Sequence, residues 1–207
     1  MTTHRGSWER AWTGVGATGE GAGTYAALVE KYTEPHRAYH SLQHLTECLS
    51  AFEQARSLAA NPAEVEAALW FHDAIYDVHR NDNEELSAQW ARSALLAGGA
   101  APDSTERVSR LVLTTKHTAA PETHDEFVLI DIDLAILGAE QDRFAEYERQ
   151  IRLEYSFVPE PLFREKRRAI LASFLARPHI YSTAHFRAAL EHRARHNLLR
   201  AIGENAV

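Results

Sequence analysis

Residues 35–44 read PHRAYHSLQH and space three imidazoles, His36, His40 and His44, at intervals of four. Further along, WFHDAIYD sets His72 beside Asp73 in an apolar run, and VLIDIDLAIL carries Asp131 and Asp133. A buried ionised carboxylate is costly without a partner, so Asp73 needs a cation, hydrogen bonds or a metal. Imidazoles and carboxylates drawn from three separate segments make a mixed N/O donor set. Such a set suits Mn, Fe, Co, Ni, Zn or Mg, with positions left for water and substrate.

The elements that must position these residues are helices. Apolar residues recur at spacings of three and four between Pro, Gly and Asn, and strand patterns are nearly absent. The periodicity predicts helices near 24–33, 41–59, 63–76, 84–97, 104–117, 125–137, 141–156, 160–176 and 184–202, after a short Trp-bearing helix. GVGATGEGAG, residues 14–23, reads as a flexible loop. The expected fold class is therefore all-α, a compact single-domain bundle of about nine helices spanning 24–207, with residues 1–23 as a short helix and Gly-rich loop. Asn61-Pro62 and Asp103 stand at helix starts, and Gly98-Gly99 and Gly138 at helix ends.

The spacing assigns sides as well. Residues four apart on a helix project about 5–6 Å from each other, so His40 could stand one substrate atom from an ion held by His44. A helix starting near Ser41 removes His36 from that face, leaving it a loop histidine. Asp131 and Asp133 are two apart and face nearly opposite ways, so only one reaches a shared ion.

Composition narrows the partners. The net charge is −7 and no basic block is long enough for a nucleic-acid polymer or a membrane surface. A small anion remains compatible, because a metal or a few Arg residues can hold phosphate in a negative overall field. Cys48 is the only cysteine, which excludes an intrachain disulfide and, on the same count, a thiolate zinc site, and reads as helix packing in a cytoplasmic protein. The N-terminus lacks a signal-type apolar core, and FVLIDIDLAILGA carries two aspartates, against a membrane span.

The order His44, His72-Asp73, Asp133 resembles the HD superfamily of metal-dependent phosphohydrolases, whose signature is H…HD…D on an all-α domain. The segments YTEPHRAYHSLQH, WFHDAIYD, NEELSA, DIDLAILG, YERQIRLEY and FLARPHIYSTAHF are closest to a bacterial branch labelled predicted metal-dependent HD phosphohydrolases. Tyr39-His40-Ser41-Leu42-Gln43-His44 is also similar to the Tyr-His-Asn-x-x-His segment of cyclic-nucleotide phosphodiesterases, with Ser in place of Asn.

The resemblance implies one divalent metal ion held by His44, His72, Asp73 and Asp133, with Asp131 as the alternate. It implies His40 as general acid, although Ser41 lacks the amide that could buttress it. Asp77, taken to lie one turn after Asp73, and Glu84 would orient the attacking water, and Lys116 or His117 would contact phosphate. A second metal is disfavoured, because RSALLAG lacks the further histidine of two-metal members. The implied substrate is a nucleotide or related small phosphorylated metabolite, turned over by a monomer or homodimer. Two rivals are a non-catalytic nucleotide-binding signalling module and a di-iron HD-type oxygenase.

Overall fold

The computed structural model describes residues 3–19 and 21–204. Among these the fold is all-α, with ten α-helices and no strand. They are α1 (His4–Gly14), α2 (Gly21–Tyr32), α3 (Leu42–Ala55), α4 (Pro62–Phe71), α5 (Asn83–Ala97), α6 (Pro102–Thr114), α7 (His124–Asp133), α8 (Gln141–Glu154), α9 (Glu160–Leu175) and α10 (Ala184–Glu204). None is long and apolar enough to cross a membrane. The chain divides into two units, residues 1–132 and 133–207, and the boundary falls at the last residue of α7.

In the first unit α4 is the central helix and packs against α1, α3, α5 and α6. Its sequence explains the position: Val65, Ala67, Ala68, Leu69, Trp70 and Phe71 are at most 1% exposed, and a helix apolar on every side must be enclosed. Two acids interrupt this surface and each is paired, as a buried charge requires. Glu64 takes Ser104 Oγ at 2.8 Å and both Arg107 donors at 2.8 and 2.7 Å. Glu66 takes Ser7 Oγ at 2.7 Å, Arg10 Nε at 3.0 Å and Arg56 Nη1 at 2.8 Å.

The N-terminal helix belongs to this core and is no appendage. Trp8 and Trp12 are buried, and the glycine-rich segment is tied down around them. Trp8 Nε1 donates to Gly21 O at 2.8 Å, Trp12 Nε1 to Gly19 O at 3.0 Å, and Thr18 N to Gly98 O at 2.8 Å. A Cβ at Gly98 would stand 2.4 Å from Trp12 Cζ2, so the indole needs glycine there. Gly99 follows at φ +86°, closing α5 in the left-handed region.

α4 stops at Phe71, whereas the apolar run predicts a helix to residue 76. No Pro or Gly intervenes. The competing partners are tertiary: the Asp73 and Ala74 carbonyls accept from Arg37 at 2.6 and 3.0 Å, and Ile75 N donates to Ser87 Oγ at 3.0 Å. Similarly, α7 gives way at residue 133 to a 3₁₀ turn, Leu134–Gly138, where one helix to 137 is predicted.

α7 opens on a capping box. Glu126 N donates to Thr123 Oγ1 at 3.3 Å, and Glu126 Oε2 accepts from Thr123 N at 3.1 Å and Glu122 N at 2.6 Å. Burial pushes the Glu126 carboxyl up, but these amides and Arg110 hold it below its ordinary value. A depressed pKa stabilises the fold above the unfolded value and is lost as pH falls through the folded one. Glu126→Gln should therefore cost about 1 kcal/mol near neutral pH, and urea titrations should show the difference from wild type shrinking below about pH 4.

The second unit joins α8, α9 and α10 to the 3₁₀ turn. Asn197 Nδ2 donates to Leu137 O and Ala139 O, both at 2.9 Å, and Tyr181 O–H donates to Leu134 O at 3.1 Å. A Cβ at Gly138 would lie 2.7 Å from Leu190 Cβ, so the turn and α10 pack closely only with glycine there. His192 and His196 lie exposed on α10, outside any donor cluster.

Candidate metal centre

Two chain segments of the first unit, α3 and the residues just after α4, bring His44, Cys48, His72 and Asp73 together. The loop 33–41 ends on Ser41, which caps α3 by accepting from Gln43 N at 3.4 Å. His44 then lies in the first turn of α3, 2% exposed, with Cys48 one turn later and equally buried. α4 delivers His72 immediately beyond its last residue, followed by Asp73.

His72 Nδ1 lies 2.8 Å from Leu69 O. A carbonyl can only accept, so His72 Nδ1–H is the donor and Nε2 is the ring nitrogen that faces the other side chains. Nε2 lies close to two further potential ligand atoms, Asp73 Oδ2 at 3.0 Å and His44 Nε2 at 3.1 Å. His44 Nε2 is 3.4 Å from the same Oδ2. Asp73 Oδ2 is a buried atom and makes no hydrogen bond of acceptable geometry. A proton shared between imidazole and carboxylate accounts for contacts of this length, and so does a metal ion bound by all three atoms. Ligand atoms about 2.1 Å from one ion stand about 3.0 Å apart at right angles and about 3.4 Å apart in a tetrahedron, and the three distances span that interval.

Burial alone would push the Asp73 carboxyl up, but the imidazoles of His72, His40 and His44 hold it well below the usual carboxylate range. The group is an anion. Cys48 Sγ and ring nitrogens of His44 and His72 lie within 4.8 Å of one another, while Asp133 closes α7 as the first residue of the second unit. Asp131 is outside that set and fully buried two residues earlier. Cys48 is buried on α3 as a packing residue would be, and its sulfur also stands near the imidazoles of His44 and His72.

His40 stands beside this group, its ring 6.0 Å from the His44 ring and stacked on Tyr76 at 4.1 Å. Because α3 begins at Leu42, a shared helix face does not set this approach. Tyr76 supplies the buttress that Ser41, occupied as a cap, does not. His36 is in the loop, with Nε2 2.9 Å from Tyr76 O.

Arg37 is the residue that spacing rules missed. Its side chain is wholly buried and donates to His40 O at 3.0 Å, Asp73 O at 2.6 Å and Ala74 O at 3.0 Å. Its Nε reaches Glu34 Oε2 at 3.1 Å, and the guanidinium lies 5.4 and 5.5 Å from the Tyr32 and Tyr76 ring centres. One planar cation thus joins the loop of His40 to the loop of Asp73. Arginine between two histidines gave no sequence signal, because two of its three carbonyl partners lie 36 and 37 residues away.

The remaining candidates are placed differently from expectation. Asp77 is not a helical turn beyond Asp73, since α4 has ended. Its Oδ1 accepts from His79 N at 2.9 Å, and its backbone exchanges hydrogen bonds with the Asn83 side chain at 3.1 and 2.9 Å. Glu84 is half-buried in the first turn of α5. Lys116 donates to Asn81 O at 2.8 Å and pairs with Glu85, which raises its pKa. It fastens the loop after His72 to the end of α6. His117 is half-buried at φ +54°, in the left-handed region, three residues past α6.

In comparison with known proteins, no family model, curated protein or solved structure matches this chain.

Proposed function

We propose that the chain is a metal-dependent phosphohydrolase acting on a nucleotide or related small phosphorylated metabolite. The observation that carries this reading is the convergence of His44 Nε2, His72 Nε2 and Asp73 Oδ2 at 3.0–3.4 Å, with the Nδ1 proton of His72 committed to Leu69 O. Two imidazoles and a carboxylate fit a borderline or hard divalent ion, and Asp133 is the second carboxylate that the H…HD…D order assigns. When bound, such an ion is a Lewis acid that activates water near neutral pH and draws charge from a phosphoryl oxygen.

The chain's own residues supply the rest. The Leu69 carbonyl fixes the tautomer and ring orientation of His72. Arg37 holds the backbone of Asp73 and of His40 in one register, so donor and metal ligands keep a constant spacing. His40, steadied on Tyr76, gives a proton to the leaving oxygen. Resemblance to the HD superfamily supports the reaction class, and the sequence order H…HD…D supports the ligand set.

The test is metal analysis of the purified protein, then a phosphate-release screen over nucleotides, dinucleotides and simple phosphoesters with Mn, Co, Mg and Ni. His40→Ala should keep the metal content and lower kcat by about 10²–10⁴-fold. Metal binding without turnover of any phosphoester would favour a nucleotide-binding module, and iron content with oxygen consumption would favour an oxygenase.

A further inference from the structure

The donor cluster contains a group for which the phosphohydrolase reading has no use. Cys48 is 2% exposed on α3, one turn after His44, and its Sγ lies 3.7 Å from both ring nitrogens of His44. It does not stand alone: its Sγ and ring nitrogens of both His44 and His72, all three residues buried, lie within 4.8 Å of one another. Sulfur at about 2.3 Å and nitrogen at about 2.1 Å from one ion would be separated by about 3.6 Å in a tetrahedron, close to the distance found.

The geometry points to Cys48 as a thiolate ligand in the metal centre, which makes the site a mixed N, O and S donor set selective for zinc, cobalt or ferrous iron over magnesium. This rests on the metal-centre reading above and adds sulfur to it. Thiolate is a soft donor, magnesium takes oxygen ligands almost exclusively, and borderline ions accept both. Binding replaces the S–H proton, which leaves to bulk water, so metal uptake should release protons.

Titration of the full-length metal-free protein with Co(II), followed by absorption spectroscopy, tests this without recourse to activity. The wild type should show both the visible ligand-field bands of bound cobalt and a near-ultraviolet sulfur-to-cobalt charge-transfer band at one equivalent. Cys48→Ser should keep the ligand-field bands, lose the charge-transfer band, and bind zinc at least about tenfold more weakly. Ligand-field bands without charge transfer in the wild type would overturn sulfur ligation and leave the metal centre standing. Absence of any cobalt binding would overturn the metal centre and the inference with it. The wild-type spectrum decides the matter even if the serine variant fails to fold.

Discussion

Asp73→Asn is expected to remove the metal and with it all phosphate release. The substitution keeps the shape of the side chain and deletes the anion whose Oδ2 stands 3.0 Å from His72 Nε2 and 3.4 Å from His44 Nε2. An amide there offers a neutral oxygen or an N–H, and the second is repelled by any cation. Metal affinity should fall by more than about 100-fold, beyond the range found when only a supporting partner of a ligand is lost. Thermal unfolding gives an independent measure, because an ion bound only by the native state adds about 2.7 kcal/mol at 100 times its Kd. The wild type should gain stability on adding metal and the variant should not. An Asp73→Asn protein that retained metal-dependent turnover would sink the ligand assignment.

The second large effect is expected at Arg37, which touches no donor atom. Arg37→Ala strips three backbone carbonyls of their charged donor, and each buried acceptor left unmade costs about 1–3 kcal/mol. A total loss of about 3 kcal/mol or more should appear as a lowered urea midpoint. Arg37→Lys should recover only a fraction, since one ammonium cannot reproduce a planar fork reaching His40 O, Asp73 O and Ala74 O between two tyrosine rings. In the folded remainder, zinc affinity should fall about tenfold or more, because Asp73 and His40 lose their common anchor. A lysine variant with the wild-type urea midpoint would show that the clamp contributes nothing.

The helices themselves were readable because their signals are local. Periodicity and punctuation placed every helix, several within two residues of the observed limits, as at 141–156 against Gln141–Glu154. Cap identities transferred less well. Asn61 sits at the start of α4, but its Nδ2 donates 2.9 Å to Asp125 Oδ2 and makes no cap. The end of α4 was unreadable for a physical reason: WFHDAIY has helical composition throughout, and what stops it is Arg37 and Ser87, distant in sequence. The misplacement of Asp77 follows from that one error.

The candidate site divides the same way. His44, His72 and Asp73 were singled out by residue type and order, and the fold brings them together. Arg37 and Tyr76 were missed, as their roles depend on loop closure. Cys48 was set aside on a count of cysteines, a rule for all-thiolate zinc sites that does not cover a lone sulfur among imidazoles.

Because α4 ends at Phe71, its carboxyl end, with a partial charge of about −0.5, points toward His72 and Asp73, while the amino end of α3, about +0.5, lies at His44. Helix ends of opposite partial charge therefore meet at these residues. A cation there does not face a single helix end, and the Asp73 carboxylate, held as an anion, supplies its countercharge.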